Sequence, residues 1–246
     1  MPSLSLRTGY DRVVVALRKG RPDPLTSVVL TTPVFLIYHL GILLIDKRNG
    51  VDWVSDLTLE LVHASVPAYV GVSIGLCAAL VLTMWLLRKR GRVQPRALLP
   101  IVAESVVWAV VMLALVGWAV QRVLPPLSVG AEALALGPFE KIVMAAGAGF
   151  HEEVTFRVVF FSGGARLLQL LRMQSLAAFV LAALVSSLVF AFVHHLGVAG
   201  EGLTLAALSF RTLAGLYLCG LYAARGFAVA VYTHALYDVL VFFVLQ

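Results

Sequence analysis

Long apolar runs separated by short charged stretches dominate the chain. A membrane-spanning helix takes roughly 20 mostly apolar residues. About seven stretches qualify, near 25–45, 66–87, 100–124, 139–163, 175–195, 203–223 and 227–245. The pattern predicts an all-α fold, a polytopic transmembrane helix bundle of about seven to eight spans with a polar site inside the membrane. The first three runs read as lipid-facing or packing helices without an ionisable cluster, and Glu104 reads as an interfacial, solvated residue near an end of the third. Pro125 and Pro126 close that run, because proline cannot continue a helix interior. Residues 127–138 read as a loop or a short re-entrant piece. Three parts follow: a basic segment, 1–24, expected in the cytoplasm; N-terminal transmembrane helices, 25–124; and a helical core, 139–246, where the buried charges collect.

Composition agrees with a lipid-covered surface. The chain is 61% hydrophobic and 13% charged, whereas a soluble domain usually carries about 25% charged residues. The net charge of +6 does not indicate nucleic acid, because the Lys and Arg residues lie mainly between the apolar runs, where they fix topology. Arg7, Arg12, Arg18, Lys19 and Arg21 precede the first run, five more basic residues follow the second between Arg88 and Arg96, Arg166 and Arg172 follow the fourth, and Arg225 follows the sixth. The loop after the first run mixes Lys47 and Arg48 with Asp46, Asp52, Asp56 and Glu60. The positive-inside rule therefore places the N-terminus in the cytoplasm and the C-terminus outside. Residues 1–24 lack the long apolar core of a cleavable signal peptide. Their Leu4, Leu6, Tyr10, Val13, Val14 and Leu17 read equally as one face of an interfacial helix or as part of a frayed basic terminus. Cys77 and Cys219 both fall inside apolar runs, which argues against a disulfide framework.

Ionisable residues inside a span are costly and are functional candidates by default. Three clusters stand out. In the fourth run, Glu152, Glu153 and Arg157 follow the small-residue stretch Ala145–Gly149, which lets another helix approach closely. Glu153 and Arg157 are four apart and can pair on one helix face. Glu152 is rotated by roughly 100° and points elsewhere. A paired carboxylate stays ionised, while a desolvated one suits a general base. The competing reading ends the helix near residue 150 and leaves these charges in a solvated loop. At the end of the fifth run, Phe190 and His194 lie one turn apart, and spacing alone does not choose between His194 and His195. In the seventh run His234 and Asp238 share a face and, taken alone, read as a self-satisfying pair. Arg211 in the sixth run reads as structural, neutralising a carboxylate or reaching the interface. Buried polar groups need partners, and three clusters on three spans can supply one another. One shared pocket could hold and deprotonate a water and offer donors to a developing oxyanion, which amounts to peptide hydrolysis without a serine nucleophile.

The ordered motifs Glu152-Glu153…Arg157, Phe190…His194 and His234…Asp238 resemble those of the CAAX protease and bacteriocin-processing family, also called the abortive-infection family. The resemblance covers about residues 139–245. It implies a glutamate-type intramembrane protease, multi-pass in a bacterial cytoplasmic membrane, acting on a membrane-anchored protein or peptide and requiring no cofactor. It implies that Glu152 activates water and His194 holds it. Glu153 and Arg157 are then the supporting pair, and His234 and Asp238 face the scissile carbonyl. Eukaryotic CAAX-processing members carry Asn where this chain has Asp238, and ionised Asp cannot donate a hydrogen bond. Either a protonated Asp238 donates or it orients His234, whose imidazolium would be a good oxyanion donor. The rivals are a zinc-dependent membrane protease, since two His and a carboxylate suit zinc, a proton relay or transporter, and a non-catalytic scaffold or immunity protein. No H-E-x-x-H or G-x-S-x-G motif supports other hydrolase types.

Overall fold

The computed structural model describes residues 20–45, 53–123, 136–196 and 203–244. The expected interfacial helix near the N-terminus, Pro125 and Pro126, most of the 127–138 segment and four of the loop charges (Asp46, Lys47, Arg48 and Asp52) lie outside them. Every regular element among the described residues is helical: α1 (Pro24–Gly41), α2 (Trp53–Ala64), α3 (Val66–Leu87), α4 (Leu98–Val123), α5 (Pro138–Gly147), a π-helix (Ala148–Gly163), α6 (Gly164–Leu170), α7 (Ser175–Val193), α8 (Leu205–Arg225) and α9 (Phe227–Val244), with short 3₁₀ helices at Ile42–Leu44 and Pro95–Ala97. The start signals are local. Asp23 caps α1 by accepting from the Thr26 amide at 3.0 Å, with Pro24 at the first helical position. Thr204 caps α8 through the Ala207 amide at 3.1 Å. Both arrangements satisfy amide donors that a helix start leaves open.

Six of these helices are long and apolar enough to cross a membrane: Pro24–Leu44, Val66–Leu87, Pro95–Ala119, Ser175–Val193, Leu205–Arg225 and Phe227–Val244. This is an integral membrane protein. α3 buries only Tyr69, as expected of a helix that meets lipid on most of its circumference.

Two elements depart from the sequence expectation. The stretch after the first run contains a helix, α2, which packs Val54, Ser55 and Leu59 inward. The fourth run is not a plain α-helix. From Pro138 to Leu170 the chain is continuously helical, but over Ala148–Gly163 it widens to i→i+5 bonding. The helix also continues to Leu170, beyond the end expected near 163. The reading in which it ends at residue 150 is thereby excluded.

That extension sets the depth of Glu152. A helix ending at 163 would leave Glu152 far from the level of His194. Instead, the reversal between the two helices falls at Leu171–Gln174, with Arg172 in the left-handed region (φ 68°). Glu152 lies 18 residues before Leu170 and His194 lies 19 after Ser175. The two side chains accordingly reach the same level, with Glu152 Oε1 3.6 Å from His194 Nε2.

α9 sits at the centre. It packs against α1, α4, α5, α8 and the π-helix, and its Ala228, Val229, Ala230 and Val231 are fully buried. The small residues before the glutamates admit neighbours on different sides. A side chain at Gly147 would collide with the Tyr38 ring of α1. One at Gly149 would place Cβ 2.6 Å from Ala235 Cβ and 2.9 Å from the Val231 carbonyl oxygen of α9. The other basic ends also meet. Arg21 donates to the Ala223 carbonyl, and Arg225 donates to Glu104 at 2.5 and 2.8 Å. Glu104 also accepts from Trp108 Nε1 at 3.0 Å, so it is tied into the bundle rather than simply solvated.

Candidate active site

Glu152 and Glu153 are consecutive, and both are fully buried. Their environments differ. Glu153 is held from two sides: its Oε1 accepts from His234 Nδ1 at 2.8 Å, and its Oε2 lies 3.2 Å from Arg157 Nε. Arg157 is fully buried and its guanidinium lies 4.7 Å from the centre of the Phe190 ring, a cation over an aromatic face. Glu152 points between two imidazoles. Its Oε1 is 3.6 Å from His194 Nε2, and its Oε2 is 3.8 Å from His234 Nε2. Neither oxygen has a hydrogen-bond partner among the described residues. Buried carboxylate oxygens usually have one.

The imidazole tautomers follow from their other contacts. His194 terminates α7, where its Nδ1 is 2.7 Å from the Phe190 carbonyl oxygen. A carbonyl only accepts, so Nδ1 carries the proton and, in the neutral ring, Nε2 faces Glu152 as an acceptor. His234 Nδ1 donates to Glu153, which aims its Nε2 at Glu152 on one side and at Asp238 Oδ2, 3.7 Å away, on the other. Asp238 is the most open of these side chains, about one-fifth exposed. His195 follows the helix end and belongs to none of these pairs.

All six candidates therefore meet around Glu152, from the π-helix, α7 and α9. Three supporting features surround these six side chains. Ser186 on α7 donates to the Phe156 carbonyl at 2.6 Å and ties that helix to the π-helix. Arg211 on α8 lies within electrostatic reach of Glu152. The first run does contribute to an ionisable cluster: His39 Nε2 lies 3.0 Å from His151 Nε2. A lone His in an apolar run, with its partner 112 positions away, gives no local signal.

Residues 135–240 match a family model described as type II CAAX prenyl endopeptidase Rce1-like. No curated protein and no solved structure matches the chain. The match begins just before α5 and takes in Glu152, Glu153, Arg157, His194, His234 and Asp238, while α1 to α4 lie outside it. The likeness of this integral membrane protein to the type II CAAX prenyl endopeptidase Rce1-like family is thus carried by residues 135–240, the part that holds the site.

Proposed function

We propose that the chain is an intramembrane endopeptidase that hydrolyses a peptide bond near the end of a membrane-associated protein or peptide, using a water activated by Glu152. One observation carries this reading: a fully buried carboxylate with no hydrogen-bond donor among the described residues, facing imidazoles from two other helices at 3.6 and 3.8 Å. Glu152 and His194 Nε2 are both acceptors. A group placed between them must bring two protons, and water does.

In the mechanism that fits, Glu152 takes a proton from this water as its oxygen bonds to the scissile carbonyl carbon, and the carbonyl oxygen becomes an oxyanion. His234, fixed through Nδ1 by Glu153, turns Nε2 toward that oxyanion and donates to it when protonated, with Asp238 balancing the charge. The tetrahedral carbon then expels the amide nitrogen, and Glu152 returns its proton to the departing amine. Arg157 offsets the charge of Glu153 and keeps that carboxylate available to His234. The catalytic core is residues 139–246, and the setting that suits the chain is a bacterial cytoplasmic membrane.

The test uses purified protein in lipid and two membrane-anchored peptides ending in Cys-aliphatic-aliphatic-X, one prenylated and one not. Glu152→Gln and His194→Ala should each lower kcat by about 10²–10⁴, and a chelator should leave cleavage unchanged. Undiminished cleavage by Glu152→Gln would overturn the reading. Loss on chelation restored by zinc would replace it with the zinc-dependent one.

A further inference from the structure

A second buried polar cluster lies on the other side of the π-helix from the α9 contact. His39 of α1 contacts His151 Nε2 to Nε2 at 3.0 Å. His39 Nδ1 lies 3.0 Å from the Tyr69 hydroxyl and 3.2 Å from the Ser73 hydroxyl, both on α3. The Tyr69 hydroxyl donates to the His39 carbonyl at 3.3 Å. Its oxygen is then the acceptor for His39 Nδ1–H. Neutral His39 therefore presents an unprotonated Nε2, and His151 Nε2–H donates to it. This assignment gives each contact a donor and an acceptor. Phe35 and Tyr38 of α1 and Phe150 pack around the two rings at centroid distances of 4.3–6.0 Å.

His151, Glu152 and Glu153 are consecutive. The first is held at 3.0 Å by α1 and the third at 2.8 Å by α9. Only the middle one is left to face the site. Helices with i→i+5 bonds are rare and mostly limited to one turn, so a 16-residue stretch needs support from its neighbours. Relaxation toward α geometry would turn the side chains of this segment about its axis. Catalytic groups must be held within about 0.5 Å of the productive position.

We propose that His39 and His151 are positioning residues, forming a clamp that fixes the rotation of the π-helix and so aims Glu152. The inference rests on the role given to Glu152 above. It assigns that task to α1, outside the family-matched segment.

The test compares His39→Phe and His151→Phe, which keep a ring, with His39→Gln and His151→Gln, which keep an acceptor and a donor. Each Phe variant should lower kcat about tenfold or more with KM within twofold. The Gln variants should recover most of the loss, and the double Phe variant should be no worse than the poorer single. A readout independent of catalysis comes from ¹⁵N-imidazole resonances of His234 in labelled protein. These should shift in both Phe variants and return toward wild type in both Gln variants. If wild-type protein cleaves no substrate, the hydrolase reading fails and the His234 resonances alone decide the clamp. Unchanged His234 resonances in the Phe variants, Gln variants as impaired as Phe, or single losses that multiply in the double variant would each overturn the proposal.

Discussion

Gly149 is the point at which the π-helix comes closest to α9, and the substitution Gly149→Ala tests whether that approach sets the site. A Cβ there would lie 2.6 Å from Ala235 Cβ, 2.9 Å from the Ala235 amide nitrogen and 2.9 Å from the Val231 carbonyl oxygen. Two of these atoms are backbone, so no rotamer change relieves them. The tightest contact must open to at least 3.4 Å, where ordinary contacts begin, a separation of about 0.8 Å. The 2.8 Å bond between Glu153 and His234 spans the same interface. Stretched by that amount it leaves hydrogen-bond range. A displacement near 1 Å at a catalytic group can cost about 100-fold in rate, and overpacking costs about 1–3 kcal/mol. The expected result is a folded protein with a lower melting temperature and a kcat reduced by about 10- to 100-fold, measured by peptide cleavage in lipid. Adding Ala235→Gly should recover part of the loss, since it removes the 2.6 Å contact but not the backbone ones. A Gly149→Ala protein with wild-type kcat would refute the claim that close approach of α9 sets the geometry.

Two further substitutions separate buried from partly exposed charge. Arg157→Leu leaves Glu153 buried without its cation and should destabilise the protein by about 3–5 kcal/mol, read from denaturant unfolding in detergent, with cleavage also lost. Glu104→Ala breaks a pair whose side chains are about one-quarter exposed, so it should cost only about 0.2–1 kcal/mol in the same assay while kcat stays at the wild-type level.

The helical architecture was legible because each apolar run is long and its ends carry charge. The candidate site was legible for a related reason: an ionisable group in an apolar run stands out, so Glu152, Arg157 and Asp238 mark themselves. What was not legible is pairing across distance. His39 sits in an apolar run as one unremarkable residue, and only the folded chain brings it to His151. Glu104 likewise gives no sign that Arg225, 121 positions on, will meet it. The π-helix is hidden for another reason. Its sequence satisfies an i, i+4 reading, and Glu153 with Arg157 pair in either geometry. Its contacts are with distant parts of the chain, such as the Ser186 hydroxyl on the Phe156 carbonyl.

The contrast between the two glutamates yields a last prediction with a sign that is easy to get wrong. Glu153 is bonded to His234 and paired with Arg157. Converting it to Gln removes the charge that both partners need and leaves an arginine buried without compensation, so stability should fall. Glu152 has no hydrogen-bond donor among the described residues, and burying such a charge opposes folding. Glu152→Gln removes that charge with little change of shape. It should therefore abolish cleavage while leaving the melting temperature equal to or above that of wild type, the trade expected where a group is kept for activity against stability. The two variants, measured side by side in the same lipid by thermal unfolding and by cleavage, should move in opposite directions in the first assay and in the same direction in the second. A Glu152→Gln protein that melts well below wild type would mean that this carboxylate holds the helices together, and its assignment as the base would have to be withdrawn.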